Sequence, residues 1–115
     1  MNRLGHEHDE PTLLELVLRL HGDFRERLAP LRVTPLQAGV LLFLHLHTKA
    51  KVTESAASLR VSLPTLSAVL KDLARKRLMT NQYSAKDRRA LCLQLSRQGE
   101  ALVRRIVDSV QDVEI

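Results

Sequence analysis

Along residues 52 to 95, the spacing of the apolar residues changes from that of a helix to the alternation of a strand. A short segment with helical spacing is followed by a turn at Arg60-Val61 and by a longer segment with helical spacing and a basic end. Two segments then alternate apolar and polar residues, the pattern of a half-buried strand, and a charged tip separates them. This order predicts a helix-turn-helix followed by a β-hairpin wing, an arrangement that suggests DNA binding.

The two helices of this stretch have recognisable start signals. Thr53 is the expected N-cap of a short helix at 54–59, and Ser62 is the expected N-cap of a recognition helix at 62–76 with Pro64 in its first turn. The spacing gives the second helix a buried face, expected to consist of Leu63, Leu66, Val69, Leu70 and Leu73. Its outward face is expected to consist of Thr65, Ala68, Lys71, Asp72 and Arg75, with Ser67 at the boundary.

Positive charge is concentrated in the same stretch. The whole chain has a net charge of +5, but residues 60–97 carry nine Lys and Arg against Asp72 and Asp87, a balance of +7, so the remainder sums to −2. A basic centre between nearly neutral flanks is typical of a site for a polyanion. The alternative is a solvated surface that serves only solubility.

The flanking segments are predicted to form helices that hold two copies of the chain together. The helix at 11–30 has apolar residues around more of its circumference than packing within one small domain would bury. Ser96 is the expected N-cap of a final helix, 96–115, whose apolar stripe can pair with the first. We therefore expect a homodimer, with contacts through Leu13, Leu16, Val17, Leu20, Leu102, Ile106 and Val110.

The central helix also has a clear start. Thr34 is the expected N-cap, Pro35 suits the first helical position, and Gln37 can complete a capping box. The apolar run that follows predicts a buried helix, and residues 48–51 are a loop or a very short strand. The predicted fold class is mainly α (α+β), a single domain at 1–115. It comprises a winged helix-turn-helix at 34–95, with N- and C-terminal dimerisation helices at 11–30 and 96–115.

Three stretches together resemble the MarR (multiple antibiotic resistance regulator) family of winged helix-turn-helix repressors. Residues 34–42, TPLQAGVLL, are similar to the family's LTPxQxxVL helix, and residues 62–67, SLPTLS, to the start of its recognition helix. Asp87-Arg88-Arg89 followed by Leu91, Leu93, Leu95 and Gly99 is similar to the wing signature DxRxxxLxLTxxG, with Ser96 for the usual Thr. The resemblance covers about Leu28 to Gly99.

The chain departs from the family pattern at three turns and along the recognition helix. Arg32, Arg60 and Arg77 stand where members usually have Gly, which tolerates the left-handed backbone conformation. Arg adopts that conformation at a cost of roughly 1 kcal/mol, so we expect the turns to survive. Leu63 and Ala68 stand where many members have basic or polar contacts, which makes sequence-specific reading weaker than usual.

The resemblance implies a dimeric repressor that binds a near-palindromic operator through the helix at 62–76 and the wing at 84–90. It implies that Arg89 enters the minor groove while Asp87 orients it, and that Lys86 and Arg88 contact phosphates. The residues expected at double-stranded DNA are Ser62, Pro64, Thr65, Ser67, Lys71, Arg75, Lys86, Asp87, Arg88 and Arg89. The alternatives are that Ser62 is only a helix cap, that Lys71 and Arg75 lie on a solvated helix face, and that the wing tip is a charged loop.

The family also includes proteins that bind small effectors between the dimerisation helices and the DNA-reading domain. That region would be lined here by the first helix and the helix after Thr34, and the sequence names no effector. A second function consistent with the sequence is a MarR-like protein-interaction module, an adaptor or antirepressor with weak or no specific DNA binding.

Other functions have less support. The sequence has no paired carboxylates in an apolar setting, no nucleophile with a base and no Gly-rich phosphate loop, so we expect neither an enzyme nor a cofactor. His45 and His47 do not share a helix face, so no metal site is expected, and Cys92 is expected to be an inert thiol rather than a redox sensor. The single Cys, the polar N-terminus and the absence of an apolar run of ~18 residues favour a cytoplasmic protein without a membrane span.

Overall fold

The computed structural model describes residues 12–48, 50–83 and 91–111, with five α-helices and three strands in these ranges. Pro11 and the wing tip, with Lys86, Asp87, Arg88 and Arg89, lie outside them. In chain order the elements are α1 (Leu13–Leu28), a 3-10 turn (Ala29–Leu31), α2 (Pro35–Leu46), β1 (Ala50–Lys51), α3 (Val52–Leu59), α4 (Leu63–Arg75), β2 (Met79–Tyr83), β3 (Leu91–Leu95) and α5 (Arg97–Val110).

Helix α2 is the centre of the core. It begins as predicted: Thr34 Oγ1 accepts from Gln37 N (3.1 Å), and Gln37 Oε1 accepts from Thr34 N (3.0 Å). Val40, Leu41 and Leu44 are buried almost completely. Every other α-helix and the sheet contribute apolar side chains to the same core.

The strands form an antiparallel sheet in the order β1-β3-β2. Met79 lies opposite Leu95 and Tyr83 opposite Leu91, so β2 and β3 pair along their full length. Ala50 pairs with Leu93, which shows that the predicted loop or short strand at 48–51 contains a two-residue strand. Strands β2 and β3 are the two strands of the predicted wing, and together with the helices they give the mainly α winged-helix fold that the sequence predicts.

The first and last helices pack against each other, as the sequence predicts. Arg27 Nη1 donates to the carbonyl oxygen of Ser109 (3.3 Å), and Phe24 packs against the shared core. Helix α5 begins after Ser96, whose Oγ accepts from Gly99 N (3.1 Å).

The short helix α3 starts earlier than predicted, and Thr53 is not its N-cap. The helix begins at Val52, because Glu54 Oε1 accepts from the backbone N–H of Lys51 (3.2 Å) and stabilises this earlier start. Leu63 is also placed differently. It is 48% exposed instead of lying on the buried face of α4, because it is the first residue of the helix and projects beyond the core that Leu66 and Leu70 enter.

The residues expected at a dimer contact fall into three groups. Leu13 and Val17 are exposed, and Leu16 and Leu20 are half-buried. Leu102 and Val110 are half-buried against the protomer's own core. Ile106 is 1% exposed, so the structure assigns it to that core instead of to a contact with a second copy.

Within the described ranges, no single helix is long and apolar enough to cross a membrane. Only the pair Leu13–Leu31 and Pro35–Leu46, bent by 78°, has the length and composition together.

Candidate nucleic-acid interface

The turn between α3 and α4 sets how the second helix is presented. Arg60 adopts the left-handed conformation (φ 57°, ψ 43°), and its N–H donates to the carbonyl oxygen of Ala57 (3.3 Å). Val61 N donates to Ala56 O (3.1 Å), so the end of α3 is closed by two backbone hydrogen bonds. The predicted turn therefore forms despite the missing Gly, and the small residues Ser55 and Ala56 are buried in α3, which packs against α4.

Ser62 caps α4 and uses its hydroxyl group fully in doing so. Its Oγ accepts from Thr65 N (3.2 Å) and donates to Thr65 Oγ1 (2.8 Å). A serine hydroxyl has only one hydrogen to donate. In this geometry Ser62 is a helix cap, and Thr65 retains its own hydroxyl hydrogen for a contact outside the protein.

Helix α4 has one buried face and one open face. Leu66, Val69, Leu70 and Leu73 are buried in the core, as predicted. The open face consists of exposed side chains: Leu63, Pro64, Thr65, Ser67, Ala68, Lys71, Ala74 and Arg75. The structure thus brings Pro64, Thr65, Ser67, Lys71 and Arg75 together on one surface.

The sequence predicts that Asp72 points outward, but in the structure it is half-buried at the centre of a polar cluster. Its Oδ2 accepts from Gln37 Nε2 (2.7 Å) and pairs with Lys76 Nζ (3.1 Å), while its Oδ1 pairs with Arg75. The hydrogen bond from Lys76, followed by the charges of Lys76 and Arg75, holds the pKa of the Asp72 carboxyl below its usual value, against the opposing effect of burial. The i,i+3 and i,i+4 spacings could have indicated the ion pairs, whereas nothing in the sequence indicated Gln37.

The C-terminal end of α4 is tied to the start of α5. Arg77 is left-handed (φ 62°), and the N–H groups of Arg77 and Leu78 donate to Ala74 O and Leu73 O, both at 2.9 Å. Ser96 Oγ then donates to Arg77 O (2.7 Å). Both ends of α4 are consequently fixed by hydrogen bonds, which gives the open face a defined orientation.

The surface around α4 is strongly basic. Residues 60–77 carry five cations, Arg60, Lys71, Arg75, Lys76 and Arg77, against the single acid Asp72. All five cationic side chains are exposed. A fixed helix with an open face and cations along it can meet the phosphates of a nucleic acid.

Part of the wing is described and part is not. The register of β2 and β3 directs the chain from Tyr83 into the tip, and Leu91 leads out of it. The contacts predicted for Lys86, Asp87, Arg88 and Arg89 lie outside the described residues and stay predictions.

A cavity of about 630 Å³ lies at the other end of α2. It is lined by Phe43, Leu46, His47, Thr48, Ala50, Glu54 and Ser58. The region expected for an effector, between α1 and α2, is a different one. Phe43 and Leu46 of α2 give this cavity apolar surface beside the imidazole of His47, and Glu54 and Ser58 of α3 give it a carboxylate and a hydroxyl group.

The two histidines at the end of α2 have separate partners. His45 Nδ1 lies 2.6 Å from Glu100 Oε1, and the ring of His47 stacks on Phe43 with centroids 4.3 Å apart. Within the described residues, no group of three or more His, Cys, Asp or Glu side chains could hold a metal ion. Cys92 is a free thiol, half-buried on β3.

Comparison with solved structures identifies proteins of the same fold. A transcriptional repressor called CouR, solved bound to a 23-mer DNA duplex, is 29% identical, with a TM-score of 0.81 over 97% of this chain and 80% of that chain. MepR from S. aureus, solved as a DNA complex, is 26% identical, with a TM-score of 0.77 over 90% of this chain and 79% of that chain. Wild-type MarR from E. coli in its apo form is 22% identical, with a TM-score of 0.82 over 90% of this chain and 79% of that chain. No protein-family model and no curated protein matches the chain.

Proposed function

We propose that this chain, which has the winged helix-turn-helix fold of the MarR-type regulators, is a cytoplasmic DNA-binding transcriptional regulator. The observation that carries the proposal is the open face of α4, which both helix ends hold in a fixed orientation and which exposed cations surround. An α-helix fits the major groove, and its first turns reach the base edges. Two similar structures were solved with DNA, which supports the same partner here.

The regulator acts as a homodimer on a near-palindromic operator. Support comes from α1, whose Leu13, Leu14, Val17 and Leu18 are 52 to 76% exposed, an apolar surface that a second copy can cover. A dimer would place two α4 helices in successive major grooves about 34 Å apart, one helical turn of DNA.

The wing adds a minor-groove contact to this arrangement. A narrow minor groove concentrates negative potential, and Arg loses less hydration energy than Lys on entering it. We therefore assign Arg89 to the groove, Asp87 to its orientation, and Lys86 and Arg88 to phosphates. Arg89→Ala should weaken DNA binding more than Lys76→Ala, because Lys76 is already paired with Asp72.

The experiment is a titration of the full chain with duplexes enriched from a random-sequence pool, read by fluorescence anisotropy from 50 to 300 mM salt. Phosphate contacts make the logarithm of the binding constant fall linearly with the logarithm of salt concentration, by about 0.9 per contact. The variant Lys71→Ala/Arg75→Ala should flatten this slope by about one unit for each phosphate that it no longer neutralises. The matched control Arg104→Ala/Arg105→Ala removes two exposed cations from α5 and should leave the slope unchanged. Binding that is equal at low and high salt contradicts the proposal.

A protein-interaction module is the second candidate function, and the exposed apolar side chains Leu36 and Leu63 favour it. An adaptor or antirepressor would enrich no DNA sequence from the pool, whereas a regulator would. The same enrichment therefore separates the two candidates.

We also propose that a small-molecule effector relieves repression. The open cleft that Phe43, Leu46 and Ser58 line, which is not the region between α1 and α2 expected from the resemblance, has room for a small organic molecule. A thermal-shift screen of aromatic acids and amines tests it, with Ser58→Trp as the variant that fills the cavity. A hit whose shift survives in that variant binds elsewhere.

A further inference from the structure

We infer that the first two turns of α4 recognise thymine, through apolar contacts of Leu63 and Ala68 with its C5-methyl group and a hydroxyl contact with its O4 atom. The inference rests on the proposed function and names the base that the regulator prefers. It starts from Leu63, an apolar side chain that is nearly half exposed at the first position of α4, the end that the proposed function places in the major groove.

The exposure of Leu63 is a property of its place on the helix. Other leucines of α4, Leu66, Leu70 and Leu73, are buried, so the core of the protomer is complete without it. Ala68 is exposed as well, five residues further along the helix, where it neighbours Thr65, while Leu63 neighbours Ser67 one turn on. Leu63 is exposed at the first position of α4 and forms no part of the core, so its side chain is available to a bound partner.

The polar groups nearby match thymine and not guanine. The strongest partner for guanine is a bidentate Arg or Lys, and the first cation along α4 is Lys71, beyond the turns that reach the bases. The hydroxyl hydrogen of Ser62 is donated to Thr65 and is therefore used within the protein. Thr65 and Ser67, both exposed, remain as hydroxyl donors.

The major-groove edge of thymine has two features, a methyl group and the acceptor O4. Leu63 and Ala68 offer apolar surface to the first, and Thr65 or Ser67 offers a hydrogen to the second. Adenine, guanine and cytosine present no methyl group there. Apolar and hydroxyl side chains side by side are thus complementary to thymine alone among the four bases.

The charges around the apolar pair indicate a nucleic acid instead of an apolar protein surface as its occupant. Arg60 precedes Leu63, and Lys71 and Arg75 follow Ala68 on the exposed side. An apolar protein surface over Leu63 would bring Arg60 and Lys71 toward low-dielectric surroundings without supplying a counter-charge, which is costly. A duplex brings phosphates to the cations and methyl groups to the leucine.

Removing only the methyl groups from the DNA tests the inference. Duplexes enriched by the full chain are resynthesised with deoxyuridine in place of thymidine, and dissociation constants are measured at one salt concentration. Burial of one methyl group changes affinity about fourfold. The wild-type chain should bind the uracil duplex at least about fourfold more weakly, and Leu63→Ala should lose less than about twofold between the two duplexes.

Two further variants serve as controls. Val107→Ala removes another exposed apolar side chain, on α5, and should retain the wild-type difference between the duplexes. Leu63→Met keeps an apolar side chain at the tip and should also retain it. Circular dichroism should show all three variants folded, because the altered side chains are exposed.

Each result has a separate meaning. If the wild-type chain binds both duplexes equally, recognition of thymine by Leu63 is wrong. The same holds if replacing thymine with uracil weakens binding of Leu63→Ala as much as that of wild type. Neither result contradicts the proposed function as a regulator. If the chain enriches no duplex at all, the proposed function itself is wrong, and the base preference with it.

Discussion

Gln37 Nε2 donates a hydrogen bond of 2.7 Å to Asp72 Oδ2, which joins the first turn of α2 to the last turn of α4. The other end of the same amide, Oε1, accepts from Thr34 N (3.0 Å), so one side chain caps α2 and holds α4. Asp72 in turn pairs with Arg75 and Lys76. The orientation of the candidate recognition helix and the state of two of its cations therefore depend on one carboxylate.

Replacing Asp72 with Asn should strengthen DNA binding at low salt and make it more sensitive to salt. Asn can still accept the hydrogen bond from Gln37, but it no longer pairs electrostatically with Arg75 and Lys76. Lys76 can then contact a phosphate in addition to those assigned to Lys71 and Arg75, and each new contact steepens the salt slope by about 0.9. The measurement is the salt titration of anisotropy. Asp108→Asn, an exposed acid on α5, makes the same charge change away from α4 and should leave the slope unchanged. Equal slopes for both variants would mean that Asp72 does not restrain its neighbours.

The same carboxylate predicts a pH dependence of stability. Its pKa in the folded chain is lowered, chiefly by the hydrogen bond from Lys76, relative to an unfolded value of about 3.9. The folded state therefore gains stability from the charged form above about pH 4, and this gain is lost as pH falls through the lowered pKa. Urea unfolding should show the wild-type chain more stable than Asp72→Asn at pH 7, with the difference shrinking below pH 4. A difference that is constant from pH 7 to pH 3 would show that the ion pairs contribute nothing.

Two glycines should respond in opposite directions to alanine. A Cβ added at Gly99 would lie 2.1 Å from the carbonyl oxygen of Leu78, which also accepts from Ser96 N (3.0 Å), so the start of α5 could not stay against the wing strands. We expect Gly99→Ala to lower the free energy of unfolding by about 2–3 kcal/mol. A Cβ at Gly39, inside α2, meets nothing within 4 Å, so Gly39→Ala should raise it by about 0.5–1 kcal/mol. Chemical denaturation of both variants is the measurement, and a mild effect at Gly99 would mean that α5 can shift.

The left-handed arginines should be sites where glycine stabilises. Arg32, Arg60 and Arg77 have φ values of 61°, 57° and 62°, a conformation that costs an L-residue roughly 1–2 kcal/mol. Glycine removes this strain but adds entropy to the unfolded chain, which offsets about 0.4–1 kcal/mol. Arg60→Gly should therefore raise the free energy of unfolding by about 0.5–1 kcal/mol. Arg104→Gly, in the interior of α5, should lower it by about 1 kcal/mol. A loss of stability in Arg60→Gly would show that the arginine side chain compensates for its backbone.

Local signals in the sequence predicted most of the fold. Thr34, Ser62 and Ser96 are caps whose hydrogen bonds reach only three residues along the chain, so a short motif identifies them. The errors arise where tertiary neighbours decide. The burial of Leu63 depends on what lies beyond the end of α4, and helical spacing does not contain that information.

The candidate site was less predictable than the fold. Its exposed side chains Lys71 and Arg75 follow from periodicity, but the bond between Gln37 and Asp72 joins residues 35 positions apart, and neither residue has a pattern that indicates the other. Ile106 shows the same limit, because the apolar stripe of α5 faces both the core and any partner, and spacing alone does not divide it.

The apolar surface of α1 should hold the dimer together. Leu13 and Val17 are exposed and lie one helical turn apart, so Leu13→Glu/Val17→Glu puts charges on the apolar surface without disturbing the core. Each such side chain contributes about 1.5–3 kcal/mol when buried, so the dimer dissociation constant should rise at least about a hundredfold. Light scattering after size exclusion should show a dimer for wild type and a folded monomer for the double variant. Leu46→Glu, which charges an exposed leucine on α2, should stay dimeric. If the double variant remains a dimer, the dimer contact lies outside α1. If it is a monomer that binds a half-site weakly, the apolar surface of α1 is needed for binding to a palindromic site.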